Sequence, residues 1–192
     1  MKLERGDALF VADIQNDFLP GGSLAVPRGH EIVSVLLHYL ALFQSHSLPI
    51  FAGRDWHPAD HCSFRDQGGI WPPHCIAGSI GADAPPDFPL PPSVVIVHKA
   101  TASDQEAYSA FEGTTLDAAL HAQGVRRLFI GGIATDYCVL NTVKDALALG
   151  YAVVLLRDAI RSVNVHPDDG ANAEAEMLRL GATPARFEDL AS

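Results

Sequence analysis

Cysteine is scarce in this chain, and one of its three copies, Cys138, sits in the stretch GGIATDYCVL. Two glycines and a short apolar run precede it and a helical pattern follows, so the thiol is expected in the first turn of a helix. Unpaired N–H groups and a partial positive charge at such an end favour a thiolate over a thiol. The glycines let the backbone approach a ligand closely, and N–H groups of the same turn can hold a developing oxyanion. Thr135 or Asp136 is the expected cap. A thiol nucleophile needs a proton acceptor. Asp13, at the end of the run ALFVADI, is a candidate. Lys99, closing VVIVHK, is a candidate cation that would hold this carboxylate and stabilise negative charge in the transition state. Each residue also has a plainer use: cysteine as a small buried hydrophobe, aspartate as a turn residue, lysine as a side chain that reaches out to solvent.

A second constellation lies in RDWHPADHCSF and WPPHC. Asp55 and His57 are two apart, which puts both side chains on one face of an extended segment. With His74, one loop away, they make one carboxylate and two imidazoles, a set that can hold a divalent metal and leave positions open. His61 is either a fourth ligand or a neighbour of the site. The N/N/O set is compatible with zinc, manganese or iron. Phe18 and Trp71 border the same region and can wall a flat apolar ligand or simply fill the core. Cys62 and Cys75 lack paired spacing and read as packing thiols.

Something must bring these distant residues together. Strand-length apolar runs recur at Ala8–Ile14, Leu48–Gly53, Val94–Lys99, Arg127–Ile133 and Ala152–Arg157, with a short last one at Thr183–Phe187. They are nearly continuous rather than alternating, as in strands buried on both faces of a parallel sheet. Helical spacing recurs between them, at Ile32–Leu40, Leu116–Leu120, Val139–Leu147 (stopped by Gly150) and Ala173–Leu180. Alternation of this kind predicts an α/β fold with helices on both faces of the sheet. Such sheets bind ligands beyond the carboxyl ends of their strands, where Asp13, Asp55, His57, Lys99 and Cys138 all fall. The aperiodic, Pro- and Gly-rich stretch 55–92 breaks the rhythm, and long irregular stretches in compact domains are usually functional.

Composition narrows the function classes. At 192 residues the chain is expected to be a single domain, 1–192, with a metal-binding loop insertion around 55–92. A formal charge of -10 without a basic run argues against nucleic acid as a partner. No apolar run approaches membrane-spanning length, so no membrane partner is expected. The start has no signal-peptide cleavage pattern, which reads as a cytoplasmic protein, and there the three cysteines stay thiols. The sequence sets no oligomeric state and leaves a homo-oligomer open.

Taken together, VADIQNDFLPGGSLAVPRG, RDWHPADHCSF, WPPHC, HKA and GGIATDYCV resemble the successive motifs of the nicotinamidases, within the isochorismatase-like cysteine hydrolase superfamily. The resemblance runs from Leu9 to about Val163. It implies a Rossmann-like three-layer αβα sandwich with a six-stranded, mainly parallel sheet. It implies a catalytic triad of Asp13, Lys99 and Cys138, and an oxyanion hole from the backbone N–H groups of Ala134 and Cys138. It implies metal ligation by Asp55, His57 and His74, with His61 added in some members, and zinc as the foremost ion. Phe18 and Trp71 would enclose a pyridine ring, Tyr108 would line the pocket, and a cis peptide would join Ile133 to Ala134 beside the substrate. The implied reaction is hydrolysis of nicotinamide to nicotinate and ammonia through a cysteine thioester, with the metal anchoring the pyridine nitrogen and pyrazinamide also accepted. The alternative is a superfamily amidohydrolase acting on a carbamoyl or ureido substrate, which should lack the metal set. Asn141 and Lys144 depart from the family's small-residue continuation and are expected to affect only packing or surface.

Overall fold

The computed structural model describes residues 1–190. Six strands form one sheet: β1 (Asp7–Ala12), β2 (Ile50–Asp55), β3 (Val95–Lys99), β4 (Arg127–Ile133), β5 (Ala152–Arg161) and β6 (Thr183–Ala185). Their order is β3-β2-β1-β4-β5-β6, and every pairing is parallel. The chain therefore builds outward from β1 in one direction, returns, and builds outward through β4 in the other. The order reverses between β1 and β4, and a crevice opens there beyond the strands' carboxyl ends.

The central strands feed two cores because successive side chains point to opposite faces. Leu9 and Val11 of β1 join Phe129 in one core, beneath Leu36, Tyr39 and Phe43 of α1 (Glu31–Ser45) and Leu190 of α5 (Phe187–Leu190). Ala8, Phe10 and Ala12 join Leu128 and Ile130 in the other. That face is covered by Leu116 and Leu120 of α2 (Leu116–Ala122), Val143 of α3 (Leu140–Ala148) and Met177 of α4 (Asp169–Arg179). These are the three layers expected. None of the helices described is long and apolar enough to cross a membrane.

Strand β5 runs four residues past its expected end at Arg157. The polar pair Arg157–Asp158 looks like a strand terminus, yet the Asp158 carboxylate accepts from the Tyr39 hydroxyl (2.9 Å) and the Phe187 N–H (2.9 Å). Those bonds let the strand continue. A register shift between Ile130 and Gly132 then pairs Gly132 with Ile160 and Ile133 with Arg161.

Gly132 is what allows β4 to end against β1. Its φ is +126°, and a Cβ there would lie 2.1 Å from the Ala12 carbonyl oxygen. The clash is with backbone, which cannot rotate away. Gly132→Ala is expected to cost about 3 kcal/mol or more, seen as a fall of about 6–12 °C in the thermal unfolding midpoint. A variant that melts with the wild type would contradict this packing.

Candidate active site

The carboxyl ends of β1, β2, β3 and β4 deliver the reactive side chains. Asp13 follows β1 at φ 46°, and its N–H donates to the Gly53 carbonyl (3.1 Å), which holds it in that uncommon conformation. Lys99 is the direct cross-strand partner of Asp55, so the two side chains stand on one face. Four groups then meet around one ammonium. Lys99 Nζ lies 3.3 Å from Asp13 Oδ2 and 3.4 Å from Cys138 Sγ, and it is hydrogen-bonded to Asp55 Oδ1. It also donates to the Ala107 carbonyl at 3.4 Å. Asp13, Lys99 and Cys138 are at most 5% exposed.

Burial and the neighbouring charges set the protonation balance. It pushes the Asp13 carboxyl up to about 6; Lys99 pulls it back, and Asp55 adds to the rise. Burial alone would lower Lys99, but Asp13 and Asp55 outweigh it and hold the ammonium well above the usual lysine range. Burial would raise Asp55 too, and Lys99 and His57 overcome it and keep that carboxyl low. Burial pushes the Cys138 thiol well above its ordinary value, with Asp13 and Asp55 opposing the help of Lys99. Burial and the two carboxylates thus oppose the thiolate that a helix end would favour. Thr135–Val139 is a single π-helical turn ahead of α3, and one carboxylate oxygen each of Asp13 and Asp55 lies within 4.8 Å of the sulfur. Thr135 and Asp136 do not cap this turn. The Asp136 carboxylate accepts instead from Val163 N–H (3.0 Å) and Asn164 N–H (2.7 Å), tying the turn to the loop after β5. The Ile133–Ala134 peptide is cis, and the Ala134 carbonyl accepts from Tyr137 and Val139, on either side of Cys138.

The second constellation adjoins the first through Asp55. Its Oδ2 is 3.5 Å from His57 Nε2 and 3.9 Å from His74 Nε2, and one ligand atom from each residue fits within 4.8 Å of the others. A short parallel bridge between His57 and Ile76 folds the loop back and brings His74 in. His74 Nδ1 donates to the Pro72 carbonyl (2.8 Å), which leaves Nε2 free to ligate, and burial lowers this imidazole's pKa toward the neutral form. Both ring nitrogens of His57 are buried without a hydrogen-bond partner. Buried polar atoms of this kind normally have one, so the orphaned imidazole fits a metal ligand. Ligand atoms around one ion with bonds of about 2.1 Å sit roughly 3–4 Å apart, which matches the spacing. His61 stands beside the set, its ring 4.2 Å from that of His57. Its Nε2 faces the Gln105 carbonyl (3.1 Å) and its Nδ1 the Ser63 hydroxyl (2.7 Å), so neither nitrogen is free.

A pocket of about 430 Å³ reaches both constellations; Cys138, Asp55, His57 and His74 all line it. Phe18 tilts toward His74 with ring centroids 5.6 Å apart. Trp71 Nε1 donates to the Tyr108 hydroxyl (3.0 Å), and burial pushes that phenol up to about 12. Ala134 lines the pocket. Ile133 does not line it: its side chain lies in the core toward Gly29, and it reaches the site only through the cis peptide.

The sequence model of the isochorismatase domain matches residues 7–189, the whole span that builds the sheet and the pocket. The chain belongs to the isochorismatase family. Among its relatives, a nicotinamidase of Escherichia coli (strain K12) is 39% identical, and the match covers 92% of each chain. A pyrazinamidase of Pyrococcus horikoshii, solved in complex with zinc, is 45% identical with a TM-score of 0.91, over 95% of this chain and 99% of that one. The PnC1 protein of L. infantum, solved in complex with nicotinate, is 34% identical with a TM-score of 0.91, over 99% of this chain and 98% of that one.

This isochorismatase-family site also uses residues that the sequence reading passed over. Gln15, fully buried, donates from Nε2 to the carbonyls of Asp55 (2.8 Å) and Ala82 (2.9 Å) and accepts the Asp55 N–H (2.9 Å). It clamps the backbone of the residue shared by both constellations. Asp17 accepts the N–H of Cys75 (2.7 Å), anchoring the residue next to His74. Tyr137 packs its ring 5.1 Å from Trp71 and 5.3 Å from Tyr108. Its place beside Cys138 was the one available signal.

Proposed function

We propose that the protein is a nicotinamidase, hydrolysing nicotinamide to nicotinate and ammonia and deamidating pyrazinamide by the same route. The observation that carries this reading is the meeting of a thiol, a carboxylate and an ammonium in one buried cluster, in a pocket walled by Phe18 and Trp71. In this reading residues 1–192 act as one cytoplasmic domain, with the 55–92 loop as its metal-binding insertion.

Asp13 takes the proton of the Cys138 thiol, and Sγ forms a bond to the carboxamide carbon. The N–H groups of Ala134 and Cys138 hold the resulting oxyanion. The C–N bond breaks as Asp13 returns the proton to nitrogen, releasing ammonia and leaving a nicotinoyl thioester. Water, losing a proton to Asp13, attacks that carbonyl; the C–S bond breaks and the sulfur regains its proton. Lys99 keeps Asp13 oriented and balances charge throughout. Phe18, Trp71 and Tyr108 enclose the ring. Asp55, His57 and His74 would hold a divalent ion, zinc in our reading, which supplies a Lewis acid that anchors the pyridine nitrogen; His61 supports His57 from outside the ligand set. A carbamoyl or ureido amidohydrolase is not favoured, because it would leave that ligand set without a role.

Ammonia release from nicotinamide tests the reading. Metal-loaded protein is expected to release it, and dialysis against a chelator to raise KM about tenfold or more while kcat falls less, since the ion binds substrate and the thiol does the chemistry. Metal-loaded protein that releases no ammonia would refute the assignment.

A further inference from the structure

Two carboxylates line the pocket, and they differ. Asp55 is ion-paired to Lys99. Glu106 is half-buried in the wall and forms no ion pair among the described residues. Its Oε1 accepts the N–H of Ala107 (3.1 Å), and the Ala107 carbonyl in turn accepts from Lys99. The carboxylate therefore sits on the segment that meets Lys99 through Ala107, beside Tyr108 in the pocket wall. A neutral, largely apolar substrate has no evident use for a second anion there.

We propose that Glu106 sets the pocket's preference for the neutral amide over its anionic product. This rests on the nicotinamidase reading. The reaction turns a neutral carboxamide into a carboxylic acid that is ionised at neutral pH. The Lys99 ammonium beside the reacting carbon, and a divalent ion that Asp55, His57 and His74 would hold in the same pocket, attract a carboxylate more strongly than an amide, so product would linger. A negative charge in the same confined pocket opposes that attraction, and it weakens binding of the anionic product more than that of the neutral substrate. Repulsion between like charges in a partly desolvated pocket is worth about three- to tenfold in affinity.

The test compares wild type with Glu106→Gln, which keeps size and the acceptor for the Ala107 N–H. Nicotinate dissociation constants are measured by calorimetry on metal-loaded protein, and nicotinamide KM and kcat by ammonia release. The expected result is nicotinate bound about three- to tenfold tighter by the variant, with nicotinamide KM within about twofold of wild type and the difference shrinking at high salt. Unchanged nicotinate affinity would overturn the proposal, and so would equal shifts for both ligands, which would mark Glu106 as a general packing residue. If wild type turns over nicotinamide normally, either of those results leaves the nicotinamidase reading standing. A wild type that neither binds nicotinate nor turns over nicotinamide would overturn both.

Discussion

Cys138→Ala is expected to lower kcat for nicotinamide by about 10⁴-fold or more while leaving the protein folded. The sulfur is the only group in the cluster that can form a covalent bond to the carboxamide carbon and later release it. Lys99 is a cation throughout, and Asp13 is committed to moving protons. Removing one buried sulfur leaves a small void beside Lys99, so the thermal midpoint should shift by only a few degrees. Cys138→Ser is expected to be nearly as inactive: the burial and the two carboxylates that already keep the thiol protonated oppose ionisation of a hydroxyl still more. Ammonia release by Cys138→Ala at a rate within tenfold of wild type would mean that water attacks directly, and the thioester route would fall.

Lys99→Met should damage both stability and activity. The lysine is 2% exposed and its ammonium is shared by Asp13 and Asp55. Methionine keeps the stem and lacks the terminal nitrogen, so most packing survives, but two buried carboxylates lose their common counter-ion. Breaking a buried pair in this way costs about 3–5 kcal/mol, or a midpoint lower by about 6–20 °C. Turnover should drop by about 10²-fold or more, because Asp13 loses the group that orients it. Adding Asp13→Asn to Lys99→Met removes one of the stranded charges. That double variant is expected to regain part of the lost stability and none of the activity. A Lys99→Met protein that melts with the wild type would show that the ammonium is not the keystone of the cluster.

Much of the architecture could be read before any coordinates. Five continuous apolar runs marked the strands, and the reactive residues sat at their carboxyl ends; the expected burial on both faces fails at the edge strand β3, where Ile96 and His98 are exposed. Strand order could not be read, because which strand lies beside β1 depends on long-range pairing that local patterns do not encode. The extension of β5 was hidden because Arg157 and Asp158 look like a strand terminus until Tyr39 and Phe187 are seen to satisfy Asp158. Site residues with unusual chemistry stood out: Cys138, Lys99, and the Asp55, His57, His74 spacing. Gln15 and Asp17 did not, since an amide or carboxylate in a loop is ordinary until its buried backbone partners are known. The groups that oppose ionisation of Cys138 were hidden for a related reason. A helix-end argument uses only the residue's own element, whereas Asp13 and Asp55 arrive from β1 and β2.

The most direct test is acid quench of a reacting mixture, followed by peptide mass mapping. Metal-loaded protein turning over nicotinamide should carry a nicotinoyl group on the peptide containing Cys138, formed within one turnover and absent from Cys138→Ala. A protein that releases ammonia at full rate with no acyl group ever found on that peptide, or with the group on another residue, would contradict the account.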